Sequence, residues 1–292
     1  MYKHPLLYVS ALLLFVGSCS KHSGSSSGSN TSTSQNVTET YMTVQGDALK
    51  IHVEVPQGID PAKPRPIIVL THGTGSSEVN SLSRHPRTDD YLSQGLIVAN
   101  FDFYGSDDTR NDDDGQHLIA NYQKVLDYIG TNASRFNIDT KSIIIHGESG
   151  STAIAIYTAL TQNVMGVIVE CGGRNAYYSA TPAHTISFAG IQTQSDAGFG
   201  GYMYTAADAL AGNTANPKAA YPGDNHYCTA YDDCGLLETV GYLSAFSSVH
   251  FGTGNAYIKT IAGSDHCPGG SDWDTFMKNT PLQMLHDNGI TW

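Results

Sequence analysis

Short, continuous apolar runs alternate along the chain with longer segments whose apolar residues recur at helical spacing. Ile67-Ile68-Val69-Leu70, Leu96 to Phe101 and Ile143-Ile144-Ile145 are runs of the first kind. Their length and lack of polar alternation predict strands buried on both faces. Val164–Val169, Thr185–Ala189 and Tyr257–Ala262 predict further strands. Between them, Thr88–Gln94 predicts a helix closed by Gly95. Gln116–Ile129 predicts a second, with Leu118, Ile119, Tyr122, Val125, Leu126 and Ile129 on one face and Gly130 as its stop. Thr152–Thr161 is a third, and Trp273–His286 a fourth that Pro281 is expected to interrupt. Glu39–Val55 breaks at Gln45-Gly46-Asp47 and reads as a β-hairpin. Strands alternating with helices predict an α/β fold, a mostly parallel central sheet with helices on both faces. Gly190 to Gly254 is the least regular stretch and is expected to hold a cap or binding loop besides a crossover helix.

The first residues follow a different pattern. Lys3 and His4 precede an apolar run from Leu6 to Val16, too short for a permanent membrane span and suited to a secretory signal. The run ends in Val16-Gly17-Ser18-Cys19, which resembles a bacterial lipobox, with Cys19 as the lipidated first mature residue. Residues 1–18 are thus expected to be a signal peptide. Residues 19–38, rich in Ser, Gly, Thr and Asn, are expected to be a flexible tether, and residues 39–292 the catalytic domain. This predicts an extracytoplasmic protein lipid-anchored to a bacterial membrane, or otherwise secreted or periplasmic. A hydrophobic fraction of 40% with only 14% charged residues excludes a disordered chain. Cleavage before Cys19 leaves 14 basic and 27 acidic residues, a net charge of −13. That balance argues against nucleic acid or an anionic lipid surface as partner, leaving the anchor as the membrane contact.

The chemistry centres on His146-Gly147-Glu148-Ser149-Gly150-Ser151, placed after a predicted strand and before a predicted helix. A Ser in that context, with small residues two positions to either side, is the setting of a nucleophile elbow. Ser151 stands where Gly is usual. His72-Gly73-Thr74-Gly75 follows the strand ending at Leu70. Its loop is expected to give one oxyanion-hole N–H from Thr74, the other coming from Gly150. The His72 ring is expected to serve loop backbone groups and not the reaction. Gly263-Ser264-Asp265-His266 follows the last predicted strand and offers His266 as general base. Asn111-Asp112-Asp113-Asp114-Gly115 lacks the ligand spacing of a calcium loop and reads as a solvated acidic loop, so no metal is assigned. Tyr104, Tyr177, Tyr178 and Trp273 are candidates for an aromatic acyl pocket, with core packing as the alternative.

From about Pro66 to the C-terminus these motifs resemble the α/β-hydrolase superfamily. Gln94 to Val98 leading into Phe101-Asp102-Phe103-Tyr104-Gly105-Ser106, and Phe136-Asn137-Ile138-Asp139, look most like dienelactone-hydrolase-like esterases, although dienelactone hydrolases proper use a Cys nucleophile. The resemblance implies a catalytic acid in the loop after the strand preceding the His strand, where Asp196 lies. Glu170 is the first competitor, and Asp224, Asp232 and Asp233 are later ones. With Cys19 set aside, four cysteines remain. An oxidising compartment favours two disulfides. For His266 to reach Ser149, its loop must return over the strand ends near Cys171. Cys171–Cys267 and Cys228–Cys234 are therefore the expected pairs.

These residues imply a cofactor-independent serine ester hydrolase, with Ser149, Asp196 and His266 as its triad and a small-molecule or polymeric ester as substrate. A lactonase or a polyester- or feruloyl-type esterase on the same triad is the alternative among enzymes. A non-catalytic surface-binding lipoprotein is the alternative outside them.

Overall fold

The apolar runs form the middle of one sheet. In the computed structural model the residues described are 36–44, 46–60, 62–73, 84–103, 116–172, 184, 186–193, 249–251, 254–261 and 265–292. They all belong to the compact unit Ser32–Trp292. The signal and tether expected before Asn36, Cys19, Thr74, Tyr104, the acidic loop at 111–115, Tyr177, Tyr178, Asp196, Asp224, Asp232, Asp233, Cys228 and Cys234 lie outside the described residues.

The strands are β1 (Asn36–Val44), β2 (Asp47–Glu54), β3 (Arg65–Thr71), β4 (Ile97–Phe101), β5 (Ile138–Glu148), β6 (Gly166–Glu170), β7 (Ser187–Thr193), β8 (Val249–Phe251) and β9 (Gly254–Ile261). They stand in the order β1-β2-β4-β3-β5-β6-β7-β9-β8. From β4 to β9 neighbours pair in parallel. The β1–β2 hairpin docks antiparallel on β4, and β8 adds an antiparallel edge to β9. The fold is thus of the α/β class, with a mostly parallel sheet.

Period-two alternation divides the sheet into two dry faces. Ile67, Val69, Ile143, Ile145, Val167 and Val169 pack with α2 (Gln116–Phe136) and α3 (Thr152–Thr161). Ile68, Leu70, Ile144, Ile168 and Ala189 pack with α1 (Thr88–Ser93) and α4 (Ser271–Asp287). The central strands read as unbroken hydrophobic runs because both faces are covered.

Three expectations are corrected. Helix α2 does not stop at Gly130 but runs to Phe136. An interior Gly costs only about 1 kcal/mol, which is offset because Phe136 is buried in the core beyond it. Asn137 ends the helix instead, in the left-handed conformation at φ 59. Its side-chain amide donates to the carbonyls of Asp60 and Lys63. Pro281 does not break α4, which is continuous over Ser271–Asp287. Burial of Trp273, Met277, Met284 and Leu285 outweighs the lost backbone bond. Strand β8 was not predicted, being only three residues long.

Candidate active site

The site lies at the C-terminal edge of the parallel strands, where β3, β5, β6 and β7 release their loops. Strand β5 ends at Glu148, and Ser149–Ser151 form a single 3-10 turn leading into α3. Ser149 has φ 52, a left-handed conformation that costs a non-Gly residue about 1–2 kcal/mol. The turn is close-packed. A Cβ on Gly147 would lie 2.9 Å from the Ala155 Cβ, and one on Gly73 would lie 3.3 Å from the Ser149 Cβ. A small residue is thus required at 147, on the strand side of the turn, and the loop after β3 passes close to it at Gly73.

Ser151, in the place usually held by Gly, is a working part of the turn. Its buried hydroxyl accepts from the Glu148 N–H at 3.0 Å and lies 2.8 Å from the Glu148 carbonyl oxygen. It also sits 2.9 Å from the Thr71 hydroxyl, which is itself 2.9 Å from the Tyr122 hydroxyl and 3.0 Å from the His146 carbonyl oxygen. The three hydroxyls fasten the turn to β3 and α2. A Gly at 151 would leave this network short of one member.

The Ser149 Oγ lies 2.8 Å from the His266 Nε2. The His266 segment is held on both sides. Before it, the Thr193 hydroxyl at the end of β7 donates to the Asp265 carbonyl at 2.9 Å. After it, Cys267 is paired with Cys171, their Cα atoms 5.2 Å apart. Both cysteines take left-handed backbone conformations, φ 48 at Cys171 and φ 50 at Cys267. Gly150 occupies the turn next to Ser149. The His72 ring donates through Nδ1 to the Gly73 carbonyl at 2.7 Å and stacks on Phe103, so it serves the loop.

Gly172 had no assigned role in the sequence. A Cβ there would meet the Ser149 carbonyl oxygen at 2.6 Å and run into the Thr152 side chain. The loop leaving β6 therefore crosses the turn in contact with it. Gly172→Ala is expected to shift the turn, lower stability by about 1–3 kcal/mol and reduce kcat by about 100-fold with little change in KM. Steady-state kinetics and urea unfolding of the purified variant check this.

A polar cluster lies on the α1/α4 face of the sheet, behind the turn. Glu148 and Glu170 are register partners on β5 and β6, and each carboxylate has its own partners. The Arg87 backbone N–H donates to the His85 Nδ1, so the neutral ring carries its proton on Nε2, 3.2 Å from the Glu148 carboxylate. That contact holds Glu148 below the usual carboxylate range although burial opposes it. Glu170 accepts from the Trp273 Nε1–H at 2.6 Å and the Arg87 Nη2 at 3.2 Å, and its other oxygen lies 3.0 Å from the His146 Nε2. One Glu170 oxygen thus takes both hydrogen bonds, and the other lies beside the buried His146 ring. Trp273 is buried in the core on this carboxylate and does not line a pocket. His85, His146 and Glu170 bring ligand atoms within 4.8 Å of one another. The donor set suits a cation poorly, because Arg87 already neutralises Glu170 and the His85 Nε2 proton faces Glu148.

Burial works to raise the Glu170 pKa, but the contacts with His146, Trp273 and Arg87 outweigh it and bring it from 4.5 to about 2. Burial pushes the His146 pKa down from 6.5. In both cases the unfolded chain takes up a proton before the folded protein does. Stability is therefore expected to fall as pH drops below about 6.5, and again from about 4.5 towards 2. The Glu170 contribution is on the order of 3 kcal/mol. Urea midpoints measured across this range check it, and Glu170→Gln is expected to flatten the lower part of the curve.

Residues 53–193 match the BD-FAE family model. Among solved structures, the esterase 2 of Thermogutta terrifontis phosphoramylated by tabun is 13% identical with a TM-score of 0.56, covering 87% of this chain and 95% of that one. The same enzyme with propionate bound is 14% identical with a TM-score of 0.56, covering 87% and 94%. MGS-M1, an alpha/beta hydrolase enzyme from a Medee basin deep-sea metagenome library, is 12% identical with a TM-score of 0.53, covering 87% and 97%. A search of the curated proteins finds no match. The sheet order, the strand–turn–helix at Ser149 and these likenesses agree, and the chain has the α/β-hydrolase fold.

Proposed function

We propose that the protein is a carboxylic ester hydrolase that works through an acyl-enzyme on Ser149. The observation that carries this reading is the 2.8 Å approach of the Ser149 Oγ to the His266 Nε2 on a left-handed turn at the strand ends. His266 takes the Ser149 proton as the hydroxyl oxygen attacks the ester carbonyl. The developing oxyanion is met by the N–H groups of Gly150 and Thr74. The C–O bond to the alcohol breaks, and the alcohol leaves with the proton from His266. Water, deprotonated by the same ring, then releases the acid and restores Ser149. Asp196 holds His266 in the required tautomer. Two of the similar structures support the chemistry: one esterase is phosphoramylated by tabun and the same esterase is found with propionate bound. By analogy, Ser149 is the atom an organophosphorus reagent would modify here. An extracytoplasmic, lipid-anchored location follows from Val16-Gly17-Ser18-Cys19 and suits the Cys171–Cys267 pair.

A fluorophosphonate probe is expected to label the wild-type protein on Ser149 and to leave Ser149→Ala unlabelled. Folded wild-type protein that takes no label would sink the enzyme reading and favour a non-catalytic binding lipoprotein. A panel of p-nitrophenyl esters, lactones and feruloyl esters then divides simple esters from the alternatives.

A further inference from the structure

We propose that Glu170 is a positioning residue for His266, fixing the far end of the segment whose near end is held by the Cys171–Cys267 pair. This rests on the assignment of His266 as general base. Two consecutive residues at the end of β6 grip the chain on both sides of a short exposed stretch. Cys171 is bonded to Cys267, directly after His266. Glu170 accepts from the Nε1–H of Trp273, in the first turn of α4, and shares Arg87 with Asp274 on the same turn. The next residue, Gly172, runs so close to the turn that a Cβ on it would lie 2.6 Å from the Ser149 carbonyl oxygen. The end of β6 thus contacts the turn at Ser149, the His266 segment and α4 through three adjacent residues.

The stretch between the two anchors cannot hold a direction by itself. It is Pro268-Gly269-Gly270, with both glycines left-handed at φ 70 and φ 98, and a Cβ on either would meet nothing within 4 Å. Such glycines carry the largest backbone entropy of any residue. How firmly Cys267, the residue next to His266, is seated from the C-terminal side therefore depends on where the two ends are tied. Trp273 is the buried end, 1% exposed, with its ring in the apolar layer and its single N–H on Glu170. Removing the Glu170 acceptor leaves that N–H without a partner in the core and frees Arg87 from its link to β6. The start of α4 then loses its polar tie to the strand that carries Cys171.

The test uses Glu170→Ala, which removes the acceptor outright, and Trp273→Phe, each in the native protein and in a Cys171→Ala/Cys267→Ala background. Two readouts are taken: hydrogen exchange of amides 265–272 by mass spectrometry, and kcat and KM on p-nitrophenyl acetate. With the disulfide present, Glu170→Ala is expected to speed exchange in this segment and lower kcat about 10-fold at nearly constant KM. Without the disulfide the same change is expected to cost about 100-fold, because the two anchors cover for one another. Trp273→Phe, which removes the N–H together with part of the indole ring, is expected to follow in the same direction, and it keeps the test open if Glu170→Ala does not fold. Unchanged exchange and unchanged kcat in both backgrounds, with only a lowered melting temperature, would overturn the proposal. A loss near 10⁴-fold with the disulfide intact would also overturn it, since that is the scale of a triad acid. Faster exchange in the variants, with a wild-type protein that neither hydrolyses esters nor takes the fluorophosphonate, would uphold the anchor and remove the function assigned to Ser149.

Discussion

Ser149→Ala is expected to lower kcat by about 10⁶-fold, roughly 8 kcal/mol of transition-state stabilisation, while leaving the fold unchanged. The fold does not depend on this hydroxyl. The turn is held by Ser151, Thr71 and Tyr122, and its shape by the tight packing of Gly147 and Gly172. His266→Ala is expected to cost about as much, and the double variant no more than either alone, because a nucleophile and its base act as a unit. Stability gives a separate handle on the same residue. At φ 52 any side chain is strained, so Ser149→Gly is expected to be more stable than Ser149→Ala by about 1 kcal/mol and equally inactive. A Ser149→Ala enzyme within 100-fold of wild type would place the reaction elsewhere, and a Ser149→Gly protein less stable than the Ala variant would refute the strain at this position.

What the sequence revealed follows the range of the interactions involved. The runs at Ile67–Leu70, Leu96–Phe101 and Ile143–Ile145 were legible because burial on both sheet faces writes itself into consecutive positions. The strand–Ser149–helix order was legible because a sharp turn needs small residues at fixed offsets. The ends of elements were less legible. Gly130 and Pro281 are unfavourable locally, yet the burial of Phe136, Met284 and Leu285 continues the helices past them. Ser151 looked like a departure from the motif, and its network needs Thr71 and Tyr122, 80 and 29 residues away along the chain. The cluster around Glu170 draws on β5, β6, the loop before α1 and the start of α4. No spacing rule joins Arg87, His146, Glu170 and Trp273. Only the sheet order brings them together, so Glu170 could be named as a possible acid but not given its partners.

The same partners set the second large effect. Asp196→Asn is expected to lower kcat by about 10⁴-fold, as loss of a triad acid does when the amide favours the wrong imidazole tautomer. Since the His266 Nε2 faces Ser149, the acid must meet Nδ1. Glu170 accepts from Trp273 and Arg87 on one oxygen and sets the other beside His146, on the α1/α4 face of the sheet. The Thr193 hydroxyl bonds the backbone carbonyl of Asp265, so the end of β7 abuts the residue before His266. Asp196 follows Thr193 by three residues, a reach of at most about 10 Å, whereas Asp224, Asp232 and Asp233 follow it by 31 or more. Kinetics on p-nitrophenyl acetate should therefore rank Asp196→Asn far below Glu170→Gln, with Asp224→Asn near wild type. An Asp196→Asn enzyme within tenfold of wild type would break the assignment. Substitutions of Asp232 and Asp233 would then be the next to measure, because a carboxylate arriving from farther along the chain could still reach Nδ1 without disturbing the Ser149–His266 contact.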